Sequence, residues 1–174
     1  TKTRAIVDAA HSANPACEVL TTRKSMPGVK DLLTKAVTCG GAFPHRLGAS
    51  ETVLVFDHHI TFMGGFEAFL GALPALRGRC VEKKLFVEAG PDEARRLAKA
   101  GVDGIQLDKM PVDDLAALVP ELRAIDPHLT LIAAGGINLQ NAAAYAATGV
   151  DGLATTAPFT AKPIDMSVRM KRAE

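Results

Sequence analysis

Cys17-Glu18-Val19-Leu20-Thr21, followed at once by Thr22-Arg23-Lys24-Ser25-Met26-Pro27-Gly28, is the stretch on which the fold turns. The first five residues read as a short strand. Pro27-Gly28 marks a turn and a helix start, and beyond it Leu32, Leu33, Ala36 and Val37 recur on one helical face. Two cations therefore stand at a strand's carboxyl end beside a helix amino terminus. In parallel α/β folds that rim is where ligands bind, and an Arg-Lys pair there suits carboxylate or phosphate oxygens. A solvated basic turn is the plainer reading of the same residues.

Working outward, the alternation continues in both directions. A helical pattern from Thr3 to Ser12 precedes the strand, with Ile6, Val7 and Ala10 on one side. After it, a helix from Val29 to Cys39 ends at Gly40-Gly41, and Ala42 to Gly48 reads as a loop. Strands follow at Thr52–Phe56, Leu85–Val87, Gly104–Leu107, Leu129–Ala133 and Gly152–Thr155. Between them lie helical patterns at Phe66–Leu76, interrupted by Gly71 and Pro74, and from Gly90-Pro91 to Gly101. Two more run from Met110-Pro111 through Leu115, Leu118, Leu122 and Ile125, where Pro120 should kink the helix, and from an Asn138 cap to Gly149. Six strands alternating with helices predict a parallel sheet with right-handed crossovers, closed or nearly closed into a barrel. No Gly-x-Gly-x-x-Gly follows a strand, which argues against an open dinucleotide-binding sheet.

Composition bounds the rest. The 174 residues predict one domain, and 48% hydrophobic with 22% charged residues is a globular balance. Mean hydropathy is +0.14. A net charge of +1 gives no general reason to expect nucleic acid or a membrane surface as partner, so any anion site must be local. Cys17, Cys39 and Cys80 lack metal or redox spacing and read as reduced thiols of a cytoplasmic protein. Nothing reads as a signal peptide or spanning helix. With Thr1 already inside a helical pattern and no initiator Met, a preceding segment is expected.

The strand exits carry the chemistry. In order they hold Arg23/Lys24, Asp57/His58/His59, Glu88, Asp108/Lys109, Gly135/Gly136 and Thr155/Thr156. Glu88 and Asp108 could orient ribose hydroxyls or hold Mg²⁺ through water, though both also suit helix starts. Gly135-Gly136-Ile137-Asn138 before a helix can present N–H groups to a phosphate, or be only a tight turn. The Asp-His-His triplet lacks a third ligand at metal spacing. Lys109 or Lys84 could serve a lyase as a Schiff-base amine.

Five motifs, in this order, resemble the quinolinate (nicotinate-nucleotide) pyrophosphorylase family. They are Thr22-Arg23-Lys24-x-x-Pro27-Gly28, Cys39-Gly40-Gly41-x-x-Pro44-His45-Arg46-x-Gly48, Leu107-Asp108, Gly135-Gly136-Ile137-Asn138 and Thr148-Gly149-Val150-Asp151. Val55-Phe56, Gln106-Leu107-Asp108-Lys109 and Thr156-Ala157-Pro158 resemble its molybdenum-transport-associated subgroup, ModD. The resemblance implies a type II phosphoribosyltransferase with an incomplete TIM-like α/β barrel of six to seven parallel strands. It implies Arg23, Lys24, His45 and Arg46 on acidic substrate and pyrophosphate oxygens, with Lys24, Glu88 and Asp108 as catalytic residues. Glu88 and Asp108 would hold the ribose and the Mg²⁺ salt of phosphoribosyl pyrophosphate, and Glu88 aligns only after a one-residue deletion. Ala134, Gly135, Gly136, Thr155 and Thr156 would hold the 5′-phosphate.

The same resemblance marks departures. Phe56 stands where quinolinate enzymes carry lysine, Ala134 where they carry serine, Thr156 where they carry glycine, and Lys109 where they carry asparagine. The donor side is kept and the acceptor pocket, with Phe56 and Lys109, is altered. The acceptor implied is a small anionic, heteroaromatic molecule, with quinolinate itself as the alternative and a non-catalytic binder linked to molybdenum transport as another. The family also implies a homodimer whose amino-terminal domain, outside residues 1–174, completes the pocket across the interface. The 174 residues alone are then expected to be a poor catalyst, with apolar residues of the Thr3–Ser12 region exposed where that domain would sit.

Overall fold

The computed structural model describes residues 1–48, 51–162 and 165–172. Its sheet is wholly parallel, built from β1 (Glu18–Thr21), β2 (Phe43–Pro44), β3 (Val53–Val55), β4 (Leu85–Glu88), β5 (Gly104–Asp108), β6 (Thr130–Ala134) and β7 (Gly152–Thr155). The spatial order is β2-β1-β7-β6-β5-β4-β3. The sheet curls into an incomplete barrel whose two edges, β2 and β3, stand on either side of the opening. Among the described residues, seven helices accompany the strands: α1 (Lys2–Ala13), which precedes β1, α2 (Lys30–Cys39), α3 (Asp57–Phe62), α4 (Phe66–Arg79), α5 (Pro91–Ala100), α6 (Val112–Ile125) and α7 (Ala142–Ala146). A 3₁₀ turn, Ala157–Thr160, follows β7. Among the described residues, no helix is long and apolar enough to cross a membrane.

Strand alternation divides the core into two layers. Val19, Val87, Ile105, Leu107, Leu131 and Leu153 face outward onto the helices and are essentially fully buried. Leu54, Phe86, Ile132, Ala134 and Ala154 face the barrel interior, with Leu20 and Phe56 packed against them. Residues apolar on both faces are what a parallel sheet requires. Gly104 serves this interior: a Cβ there would lie 2.5 Å from the Phe86 ring, so the ring fills space that only glycine leaves.

The element boundaries depart from expectation where local signals are weak. Phe43–Pro44, read as loop, pairs with β1 as an edge strand, where the missing proline N–H is harmless. Asp57-His58-His59, read as a strand exit, opens the short helix Asp57–Phe62, at whose start the Phe56 N–H donates to His59 Nδ1 at 3.0 Å. The Phe66 helix runs past Gly71 and Pro74 to Arg79. The α6 helix is likewise unbroken at Pro120. Buried Leu115, Leu118 and Leu122, at about 1.5–3 kcal/mol each, outweigh the ~3 kcal/mol of an interior proline. The alanine-rich helix is only five residues long. Asn138 does not cap it, because its side chain spans the preceding turn, donating to Gly136 O and accepting from the Gln140 N–H.

Two helix faces also differ. Ile6, Val7 and Ala10 of α1 are fully buried, so the Thr3–Ser12 region exposes no apolar face of the kind expected; that stripe is core packed beside α7. On α2, Val37 is buried but Leu32 is 68% exposed, because α2 covers the narrow edge strand β2 rather than the sheet's centre. Gly40 closes α2 against α1, where a Cβ would meet Thr3 at 2.6 Å.

The three cysteines are unpaired thiols. Cys17 is fully buried, and burial, then the Asp151 and Glu18 charges, push its pKa up to about 12. At pH 8, a maleimide should label exposed Cys39 within minutes and leave Cys17 unmodified unless denaturant is added. Peptide mapping by mass spectrometry checks this, and comparable labelling of Cys17 in the native protein would contradict the packing described.

Candidate active site

The carboxyl ends of the strands surround a cavity of about 670 Å³. It is lined by Arg23, Lys24, His45, Arg46, Phe56, Glu88, Asp108, Lys109, Ala134, Gly135, Gly136, Thr155 and Thr156. Every residue that the family resemblance assigned to the site therefore lines this one space. Lys84 does not. It precedes β4 at the opposite end of the barrel and lines a separate groove with Arg77 and Asp103.

The cavity wall has three sectors. At the β1 and β2 exits stand Arg23, Lys24, His45 and Arg46. The Arg46 guanidinium lies 5.7 Å from the Phe56 ring centroid. Burial, and then the Arg23 charge, hold its pKa below the usual arginine value. An anion entering between Arg23 and Arg46 relieves that repulsion. Phe56 points inward with Leu54, as alternation along its strand predicts, and stacks on His58 with centroids 5.5 Å apart.

At the β4 and β5 exits stand the carboxylates. Glu88 and Gln106 are partners in the sheet register, so their side chains lie side by side on the interior face. Gln106 Nε2 donates to Glu88 Oε2 at 2.5 Å, and Gln106 Oε1 lies 3.0 Å from His45 Nε2. Asp108, one register step nearer the rim, pairs with Lys109 Nζ at 3.0 Å. The hydrogen bond from Lys109 to Asp108, then their mutual charge, raises the Lys109 pKa.

At the β6 and β7 exits the wall is backbone. Gly135 and Gly136 have φ of +84° and +72°, the left-handed region that glycine enters freely. A Cβ on Gly135 would lie 2.6 Å from the Lys109 nitrogen and 2.7 Å from Asp108 Oδ1, so this turn supports the acidic sector directly. Asn138 and Asn141 both donate to Gly136 O, at 2.9 and 3.2 Å. The buried Thr155 hydroxyl donates to Ile137 O at 2.6 Å and accepts from the Ala157 N–H at 3.0 Å. Thr22 and Thr156 hydroxyls lie 2.9 Å apart, joining the β1 and β7 exits. Small residues on rigid turns leave room and amide groups for a phosphate-sized anion.

Sequence reasoning missed Gln106 as a member of the site. The signal was present: an amide between Ile105 and Leu107, two residues before Asp108 and hence on the same strand face. Thr22 and Thr160 also line the cavity without having been expected there.

A parallel half-barrel with cations, carboxylates and a glycine–threonine turn around one rim cavity defines an α/β-barrel protein whose rim chemistry suits an anionic ligand. The family model described as "Quinolinate phosphoribosyl transferase, C-terminal domain" matches residues 1–169, and the chain belongs to that family. The ModD protein of Rhodobacter capsulatus, whose name describes it as a pyrophosphorylase, is 46% identical over 140 residues, covering 80% of this chain and 53% of that protein. The nicotinate-nucleotide pyrophosphorylase (carboxylating) of Mycobacterium leprae is 35% identical over 158 residues, covering 90% and 54% respectively. The structure of the nicotinate-nucleotide pyrophosphorylase from Francisella tularensis superposes with a TM-score of 0.75 at 29% identity, covering 88% of this chain and 52% of that one. The chain spans about half the length of the relatives it matches.

Proposed function

We propose that this chain is the barrel domain of a ModD-type phosphoribosyltransferase. It transfers phosphoribosyl from phosphoribosyl pyrophosphate to a small anionic, heteroaromatic acceptor and releases pyrophosphate. The observation that carries the reading is the division of one cavity into three sectors that match the donor's parts. Gly135, Gly136, Thr155 and Thr156 suit the 5′-phosphate, Glu88 and Asp108 the ribose, and Arg23, Lys24 and Arg46 the pyrophosphate and an acceptor carboxylate.

The reaction asks mainly for positioning and charge. As the acceptor forms its bond to the anomeric carbon, the carbon–oxygen bond to pyrophosphate breaks and its electrons leave with the diphosphate. The ribose passes through oxocarbenium character, which Glu88 and Asp108 stabilise, while Arg23, Lys24 and Arg46 stabilise the leaving negative charge. Two carboxylates at adjacent strand ends are a donor set suited to Mg²⁺, which when bound with the diphosphate would supply further charge neutralisation there.

A Schiff-base lyase fits the site less well. A nucleophilic lysine must be neutral, and the Asp108 contact favours the cationic form of Lys109, which deprotonates only above the ordinary lysine range. Borohydride trapping at pH 7.5 with a carbonyl substrate is expected to leave Lys109 unlabelled. Stoichiometric labelling there would favour the lyase.

The transferase reading is tested by screening heteroaromatic carboxylic acids for pyrophosphate release from phosphoribosyl pyrophosphate by the full-length protein. Release with at least one acid is expected. Donor binding without release from any acid would favour a non-catalytic binder in metal transport.

A further inference from the structure

His45, just beyond β2, and Gln106, in the middle of β5, belong to strands four places apart in the sheet, yet their side chains meet across the open barrel. Gln106 is only 6% exposed, and it reaches Glu88 with its other amide atom. We infer that Gln106 is a positioning residue that fixes the His45 imidazole and the Glu88 carboxylate together, selecting the Nε2–H tautomer of His45. For the role of Glu88 this rests on the phosphoribosyl-transfer reading; the hydrogen-bonded chain itself does not.

The polarity of the chain follows from what each group can do. An ionised carboxylate only accepts, so the Gln106 atom facing Glu88 must be the NH₂ group. The amide cannot turn over without setting oxygen against oxygen. Its carbonyl oxygen therefore faces His45 Nε2, and two acceptors cannot share that 3.0 Å contact, so Nε2 carries a proton. When His45 is neutral, Nδ1 is left as the acceptor. The backbone holds the other end, because the His45 N–H donates to Thr21 O at 2.9 Å, fixing the residue to β1. One buried amide thus ties the cationic wall to the carboxylate wall. A ligand that needs both walls meets them already spaced.

Two substitutions separate the arms of the chain. Gln106→Met keeps the volume and removes both hydrogen bonds. Gln106→Glu keeps an acceptor for His45 but sets a like charge against Glu88. The readouts are the ¹⁵N signature of the His45 ring above its titration, and the affinity for phosphoribosyl pyrophosphate by calorimetry.

The wild-type protein should show Nε2–H with an unprotonated Nδ1. Gln106→Met should give mixed tautomers and bind the donor roughly ten- to a hundredfold more weakly. Gln106→Glu should retain the Nε2–H signature yet lose at least as much donor affinity. If Gln106→Met does not fold, the wild-type and Gln106→Glu spectra still decide the matter. An Nδ1–H tautomer in the wild-type protein, or a His45 signature unchanged by Gln106→Met, overturns the inference. An Nε2–H wild-type signature without any donor binding supports the His45 assignment and overturns the functional reading instead.

Discussion

Asp108→Asn is expected to weaken phosphoribosyl pyrophosphate binding ten- to a hundredfold, while Asp113→Asn leaves it unchanged. Asp108 ends β5 on the interior face, with its carboxylate at the cavity rim, whereas Asp113 lies exposed on the first turn of α6. The substitution acts in two opposing directions. It removes a charge-assisted contact to the ribose, about 1.5–3 kcal/mol. It also frees Lys109, whose cation would then be more available to the donor's negative charge. Lys109 is largely exposed, and exposed ion pairs contribute about 0–1 kcal/mol, so the loss should dominate. Calorimetric titration of both variants checks the comparison, and equal donor affinities would remove Asp108 from the site.

Phe56→Lys is expected to improve quinolinate turnover at least tenfold in a protein that uses quinolinate poorly. Phe56 faces the cavity and offers an apolar ring, flanked by Arg46 and His58. A dicarboxylate placed against that ring loses one charged hydrogen bond, roughly 1.5–3 kcal/mol, and leaves a carboxylate oxygen without a partner. Lysine there would supply the partner. It would also add a further cation to the sector that already holds Arg23, Lys24 and Arg46, so the variant should be slightly less stable without ligand. A flatter or less charged acceptor gains from stacking on Phe56 and should lose affinity in the variant. Steady-state kinetics of the full-length protein and its variant decide the point. Efficient quinolinate turnover unimproved by lysine would show that Phe56 does not exclude it.

The strand–helix alternation was legible because β-branched runs such as Thr52–Val55 and helix punctuation such as Gly90-Pro91 and Gly101 are strong local signals. The gathering of charged and small residues at one rim followed from the alternation, since every strand of a parallel sheet ends at the same side. The family motifs added the expected division of labour among those residues. What escaped was set by partners far away in sequence. β2 is two residues long, contains a proline, and exists only because β1 offers it an edge, Leu20 and Thr21 standing opposite Phe43 and Pro44. The α3 turn is too short to carry a helical period. Gln106 sits in a run that otherwise reads as buried strand, and its contacts lie 18 and 61 residues away. Leu32, periodic with a buried face, stays exposed because the sheet ends beneath α2.

The central claim is that the three-sector cavity holds phosphoribosyl pyrophosphate. Calorimetric titration of the full-length protein with this donor and Mg²⁺, repeated in the presence of pyrophosphate, tests it most directly. Saturable binding at one site per chain, competed by pyrophosphate, is the predicted result. No detectable binding at millimolar donor by the folded protein would contradict it.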